Sequence, residues 1–409
     1  MITRIFKHMK VIQDSAIYLA GDLLSRSIPF LLLPFLTRML GVEGFGNLSY
    51  YQVVIALGLI FIGFSQDGAL TRYYYRYGRF GIGSLILTSV LQSLIVFILI
   101  TTIIIIIDID NLMIYSVMAA FTQSLLALFL SLQQCQRRPG WYILIQLVNS
   151  VFSAGITVVL FKIVQPDVLN RIIAMAVANG ISLFVAVVLV YIIQGNRFRL
   201  SFSFFKSLFT YNISFGFPLL LHQLSFFAKG QADRFLIYKM FSPAILGVYS
   251  VGYQLASILA ILLMALNKAT VPYYYESLKK GVLNQKNVLK YTRVSILITP
   301  VPFLFYMLMP QSVYLLLLGP GFDDAKYYAL LFSVAISLTI PYLLLVNYFF
   351  FHGMNKSISA CTISSSLLYI ILVYILAQID IKYVPCAMII SNIVMIGLLY
   401  TKLARINFR

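Results

Sequence analysis

The chain has 409 residues and carries 30 lysines and arginines against 12 acids, a formal charge of +18, yet only 10% of it is charged and 61% is hydrophobic. A soluble domain usually has about 25% charged residues, so a water-facing protein is excluded, and a mean hydropathy of +0.93 leaves an integral membrane protein. The cations sit in short connections between apolar runs and form no basic face, which excludes a nucleic-acid partner and makes the charge a record of topology.

The opening "MITRIFKHMK" precedes an apolar run too long for a signal-peptide core, with no small-residue cleavage site after it, and reads as a retained cytoplasmic end. Hydropathy then predicts twelve transmembrane helices, at 15–38, 46–66, 83–107, 112–134, 141–163, 171–194, 211–239, 244–266, 288–309, 327–351, 357–377 and 383–403. Each supplies the roughly 20 helical residues that span a hydrocarbon core of about 30 Å. With the N-terminus inside, the alternate loops facing the cytoplasm hold 21 lysines and arginines and the opposite set holds 8. That bias sets the orientation and puts both termini in the cytoplasm. Cys135, Cys361 and Cys386 stand in no metal-ligand spacing and read as small packing residues.

"TRYYYRYGR" (71–79), after the second helix, is echoed by "TVPYYYESLKK" (270–280), after the eighth. "GNLSYYQ" (46–52) and "GVYSVGYQ" (247–254) open those same helices, with Gly46 and Gly247 201 residues apart. Arg138 and Lys356 fall at comparable points before the fifth and eleventh. An aromatic belt alone accounts for either tyrosine cluster, but the joint matches predict a duplication. The expected fold is all-α, two six-helix bundles (1–200 and 201–409) related by a pseudo-two-fold along the membrane normal, with substrate between them. The linker "GNRFRLSFSFFK" (195–206) suits a helix lying on the inner leaflet or an ordinary basic connector, and the longest connection is placed at 267–287.

Within the first helix, "AGDLLSRSIPFLLLP" sets Asp22 and Arg26 one turn apart, able to pair. Counted from residue 15, Arg26 lies roughly 16 Å into the bilayer. A guanidinium there costs at least ~2.5 kcal/mol on insertion scales, so it is expected to face a hydrated cavity or to be neutralised by Asp22. In the seventh helix, "FGFPLLLHQLSFFAKGQADRFLIYK", the 201-residue offset brings Lys229 close to the depth of Arg26. Together with Arg234 these cations predict an anion site, since an arginine fork takes phosphate oxygens in pairs and a lysine adds a point charge. Snorkelling of Lys229 to the outer surface is the plainer alternative. Asp233 is expected to partner a neighbouring cation. Asp67 and Arg72 at the inner end of the second helix, with Lys268 at that of the eighth, outline a cavity mouth or a set of surface anchors. His222 is a candidate proton carrier, and Pro29, Pro34 and Pro218 permit bending. No paired-carboxylate, His-Glu or nucleophile-base constellation occurs, so neither catalytic nor metal residues are predicted and a transporter is expected over an enzyme.

Two stretches carry a family resemblance. "LLSRSIPFLLLPFLTRMLGVEGFGNLSYYQ" (23–52) resembles the opening of Wzx-type polysaccharide flippases, where a Leu-Gly-x-x-x-(Phe/Tyr)-Gly segment follows the first helix. "ADRFLIYKMFSPAILGVYSVGYQ" (232–254) resembles the segment after their seventh helix. The resemblance implies a member of the multidrug/oligosaccharidyl-lipid/polysaccharide exporter superfamily. Such a flippase moves an undecaprenyl-pyrophosphate-linked O-antigen or capsular repeat unit across the bacterial inner membrane by alternating access through a cationic central cavity. It further implies no cofactor, coupling to a proton or sodium gradient, and as partners the lipid-linked oligosaccharide, membrane lipids and polysaccharide polymerase machinery. The related lipid II flippases usually have extra helices and more cavity arginines than occur here. A drug/cation antiporter of the same superfamily, or a non-flippase membrane enzyme of polysaccharide assembly, are the competing expectations.

Overall fold

In hydrocarbon every backbone N–H and C=O must find a partner in the chain, and an apolar run does so locally only as a helix. The computed structural model describes residues 21–405 apart from 22, 26, 80, 109 and 194–204, and no strand occurs among the described residues. Asp22, Arg26, the N-terminal end and nearly all of the 195–206 linker therefore lie outside the described residues.

Positions 21–31 are helical where described. Among the described residues fifteen α-helices follow: α1 Leu33–Gly63, α2 Gln66–Tyr77, α3 Ile82–Ile106, α4 Asn111–Cys135, α5 Pro139–Ile163, α6 Val168–Val188, α7 Phe205–Met240, α8 Pro243–Lys279, α9 Gln285–Ile296, α10 Pro300–Leu308, α11 Gln311–Leu318, α12 Ala325–Ser337, α13 Thr339–Phe351, α14 Asn355–Ile379 and α15 Val384–Arg405. Local chemistry sets many of their ends. Asp110 caps α4 by accepting from the Leu112 N–H at 3.1 Å, and Asn284 caps α9 by accepting from that of Asn287 at 2.9 Å. At α8 the Ser242 hydroxyl accepts from the Ile245 N–H while Pro243, which has no N–H to satisfy, takes the first helical position.

Among the described residues, ten stretches are long and apolar enough to cross a membrane. The first of them, Leu33–Tyr77, is 45 residues, about 68 Å at 1.5 Å per residue, too long for one crossing. It is broken at Gly41, whose backbone is left-handed (φ 67), and again where Phe64 and Ser65 turn left-handed between α1 and α2. Of the two remaining predicted spans, 15–38 is described only from residue 21, and 211–239 lies in α7, which is 36 residues long but carries Lys206, Lys229, Asp233, Arg234 and Lys239. The predicted long connection at 267–287 is corrected. The α8 helix continues through Tyr273–Tyr275 to Lys279 and only a short turn precedes α9. The first tyrosine triplet is likewise helical, on α2.

By compactness the chain forms two units, Met1–Leu40 with Tyr50–Leu224, and Gly41–Ser49 with Ser225–Arg409. In the first, α6 packs on α4 and α5, and α2 and α3 pack on α4. They close over Leu70, Leu85, Leu128, Leu132 and Ile145. A buried polar seam crosses this unit, in which the Asn212 amide donates to Ser89 at 3.0 Å and Ser93 donates to the Gln66 amide oxygen at 3.0 Å. Ile95, Ile98, Leu99, Ile103, Ile105 and Ile106 of α3 are exposed, as a lipid-facing helix requires.

In the second unit α8 packs on α12, α14 on α15, and α9 on α13, around Leu338, Leu345, Phe349 and Leu399. The segment 41–49 is bound into it by a close backbone crossing. A Cβ at Gly46 would lie 1.7 Å from the Pro243 carbonyl oxygen, and one at Gly247 would lie 2.1 Å from that of Val42. Both pairs obey the 201-residue offset, so the contact is reciprocal, as a local two-fold demands. Tyr238 donating to Asn47 at 2.9 Å and Phe45 packing edge-on against Phe322 complete the attachment.

Candidate functional site

The second half of α7 carries Lys229, Asp233, Arg234 and, in its last turn, Lys239, in a helix that is otherwise largely apolar. Lys229 lies 11 residues before Met240, about 16 Å along the axis at 1.5 Å per residue, which is mid-membrane depth if α7 ends at the interface. Its ammonium turns into the second unit, donating to the Ser365 hydroxyl of α14 at 2.9 Å and approaching the Met395 sulfur of α15 at 3.4 Å. Ser365 in turn donates to the Ser391 carbonyl at 2.8 Å. The side chain is thus held by neutral partners and does not snorkel outward.

One turn further on, Asp233 is buried, at 3% exposure. It accepts from the Tyr249 hydroxyl of α8 at 2.5 Å and from the Arg234 backbone N–H at 2.9 Å. The Tyr369 hydroxyl of α14 lies within electrostatic reach of it. Both tyrosines are fully buried, and Tyr249 packs edge-on against Phe332 of α12 at 5.1 Å between ring centres. The expected cation partner of Asp233 is therefore replaced by the Tyr249 hydroxyl and a backbone N–H, which satisfy a buried carboxylate without bringing a second charge out of water.

Arg234 is also buried. Its guanidinium lies 4.4 Å from the centre of the Tyr253 ring, a cation–π contact that grows stronger once desolvated. Nη1 donates to the Gln231 amide oxygen, while Nε is buried with no partner. The cluster thus gathers two cations and one carboxylate. An uncompensated charge in a low-dielectric interior is costly unless a counter-charge arrives. The arrangement is therefore suited to receive an anion at Lys229 and Arg234.

The remaining predicted residues lie elsewhere. Arg72 is exposed on α2, its guanidinium 5.5 Å from the Phe215 ring centre and 5.8 Å from that of Tyr211, both in the first half of α7. Arg76 lies over Tyr77, and Arg79 over Tyr74, donating to its hydroxyl at 2.9 Å. The tyrosine-arginine run is thus a set of cation–π pairs. Asp67 is exposed in the first turn of α2, where a carboxylate meets the positive end of the helix dipole. Lys268 is exposed on α8 and His222 on α7. Lys229, Asp233 and Arg234 lie within six residues of one helix, Lys229 reaching Ser365 and Met395, Asp233 reaching Tyr249 and Arg234 lying over Tyr253. Sequence reasoning missed Tyr249, Tyr369, Tyr253, Ser365 and Met395, which complete the cluster. Only the "GVYSVGYQ" match drew attention to two of them, and it gave no hint that they face a carboxylate.

Comparison with known proteins agrees with this architecture. A family model described as polysaccharide biosynthesis protein matches residues 11–277. A protein of the Lsg locus of Haemophilus influenzae is 40% identical over 403 residues, covering 98% of this chain and 99% of that one. A second membrane protein of the same organism is 39% identical over 408 residues, covering 98% of each. Among solved structures, an inward-facing multidrug resistance MATE family transporter of the MOP superfamily superposes with a TM-score of 0.68 at 15% identity, covering 93% of this chain and 97% of that one. With its helices long and apolar enough for a multi-pass membrane protein, the chain belongs to the polysaccharide biosynthesis protein family and has the twelve-helix, two-bundle fold of the multidrug/oligosaccharidyl-lipid/polysaccharide exporter superfamily.

Proposed function

We propose that this protein is a flippase that carries an undecaprenyl-pyrophosphate-linked oligosaccharide repeat unit from the cytoplasmic to the periplasmic leaflet of the bacterial inner membrane. Family and fold support a membrane exporter acting in polysaccharide biosynthesis. The observation that carries the finer reading is half-buried Lys229 and buried Arg234, five residues apart on α7, whose side-chain partners are neutral, with one hydroxyl-capped carboxylate beside them in sequence. A diphosphate supplies the charge this cluster lacks, and its oxygens suit an arginine fork and a lysine ammonium. Arg26 contributes a further cation, Arg72 and Lys268 gather the head group on the cytoplasmic side, and both termini lie in the cytoplasm.

Transport proceeds by alternating access and draws on a proton or sodium gradient, with Asp22, Asp67, Asp233 and His222 as the groups that could sense the ion. The exported unit then passes to polymerase machinery. A drug/cation antiporter instead needs a carboxylate open to an organic cation, and the buried Asp233 is already engaged by Tyr249.

The test is export in a strain whose surface polysaccharide depends on this gene. A hydrogen bond to a charged group is worth about 1.5–3 kcal/mol, or roughly tenfold and more in affinity. Lys229→Ala and Arg26→Ala should therefore each lower polymer output about tenfold at unchanged protein level. Normal output from both variants would remove the diphosphate site.

A further inference from the structure

Inside the first unit α4, α5 and α6, with Ser25 and Pro29, line a partly open cavity of about 300 Å³. Its walls include the amides of Gln123, Gln146, Asn149 and Asn179 and the hydroxyls of Ser25 and Ser150, the rest being aliphatic, and the described lining residues carry no charge. Three of the four amides share one level. Gln123 is 12 residues into α4, Asn149 10 residues into α5 and Asn179 11 residues into α6, which puts all three roughly 15–18 Å along their helices, at the middle of a bilayer.

Polar side chains at that depth face a hydrated or ligand-filled space or bond across helices. Some of these do bond, Asn149 donating to the Asn179 amide oxygen at 2.7 Å and Ser150 to the Ser25 carbonyl at 3.0 Å. Others are left open. Gln146 donates to Tyr142 at 3.0 Å, but its amide oxygen is buried with no partner, and so is the Ser25 hydroxyl. Turning the Gln146 amide over would orphan a donor in place of an acceptor.

We infer that this amide-lined chamber is a carbohydrate subsite that takes an uncharged sugar ring of the transported glycan. Sugar hydroxyls donate and accept at once, which is what a wall of unpaired amide oxygen and serine hydroxyl asks for. An acyl chain would leave those atoms unpaired, and a fully ionised phosphate has no proton to give the Gln146 oxygen. The volume sits at the lower end of small-ligand pockets, about 300–1,000 Å³, enough for one ring with some water. The inference rests on the export reading above, yet uses different residues in a different unit from Lys229 and Arg234.

The experiment uses the full-length protein in lipid nanodiscs and saturation-transfer NMR, with glucose, galactose, N-acetylglucosamine and N-acetylgalactosamine as probes and inorganic pyrophosphate as a separate arm. Gln123→Met and Gln146→Met remove the hydrogen-bonding atoms and keep the side-chain length, while Ala127→Phe fills the chamber without touching an amide. Thermal melting identifies variants that remain folded. At least one sugar should give saturable signals in the parent that drop fivefold or more in folded Gln146→Met and Ala127→Phe, with pyrophosphate signals unchanged. No saturable sugar signal, or equal signals in parent and variants, overturns the subsite and leaves a chamber that holds water only. Loss of pyrophosphate binding in Lys229→Ala alone bears on the charged cluster, and its absence there with sugar binding intact would sink the diphosphate site while sparing this one.

Discussion

A buried carboxylate with a tyrosine hydroxyl on it is a structural commitment as much as a functional one. Removing the side chain of Asp233 would strand the Tyr249 hydroxyl and the Arg234 N–H in the interior and leave Arg234 with no carboxylate beside it. Each stranded group costs about 1–3 kcal/mol. Asp233→Ala should accordingly lower the thermal unfolding midpoint in detergent well below that of Tyr249→Phe, which gives up a single hydrogen bond worth about 1 kcal/mol. Equal midpoints for Asp233→Ala and the parent would show that the network bears no structural weight. Lys229, Asp233 and Arg234 were legible in the sequence because ionisable groups stand out in an apolar run. Their partners were not, since Tyr369 lies 136 residues from Asp233 and a tyrosine in a transmembrane helix has many uses. The mid-helix amides escaped notice for a related reason, being uncharged and costing little whenever they find each other.

Element boundaries followed hydropathy closely where the chain turns polar and helical order stops together, as at α3, α4, α5 and α14. They diverged where those two properties part. Residues 267–279 are rich in Tyr, Lys and Glu and include Pro272, so they read as a connection, but the helix runs on through the interface because nothing in that stretch stops it. The Gly46 and Gly247 pair, found as a repeat signature, acquires a physical reason in the backbone crossing with Pro243 and Val42. Gly247→Ala would force an overlap with a carbonyl, where even ordinary overpacking costs about 1–3 kcal/mol. Gly155 on α5, by contrast, has nothing within 4 Å of its missing Cβ, and alanine there should be neutral or stabilising by about 0.5–1 kcal/mol. Folded yield by size-exclusion chromatography should fall for Gly247→Ala and hold for Gly155→Ala. Equal yields would contradict the close crossing.

For the whole molecule, composition alone excluded a soluble protein, and helix number, class and family were all readable before any coordinate. What the sequence could not supply is the assignment of residues to compact units. The 41–49 segment sits in the middle of α1, yet groups with residues from 225 onward, because a glycine-mediated contact some 200 positions away outweighs chain continuity. The groups proposed to meet the substrate are spread in the same way, over charges on α7 and amides on α4, α5 and α6 that no single motif records. The central claim is that these groups serve passage of a lipid-linked oligosaccharide from one leaflet to the other. The most direct measurement is leaflet distribution of a defined undecaprenyl-pyrophosphate oligosaccharide in vesicles bearing the purified protein, read by accessibility to an added lectin, with and without a proton or sodium gradient. The account predicts that the lipid becomes accessible across the bilayer only with protein present, faster under a gradient, and much more slowly with Lys229→Ala. A distribution identical in protein-bearing and protein-free vesicles would contradict it.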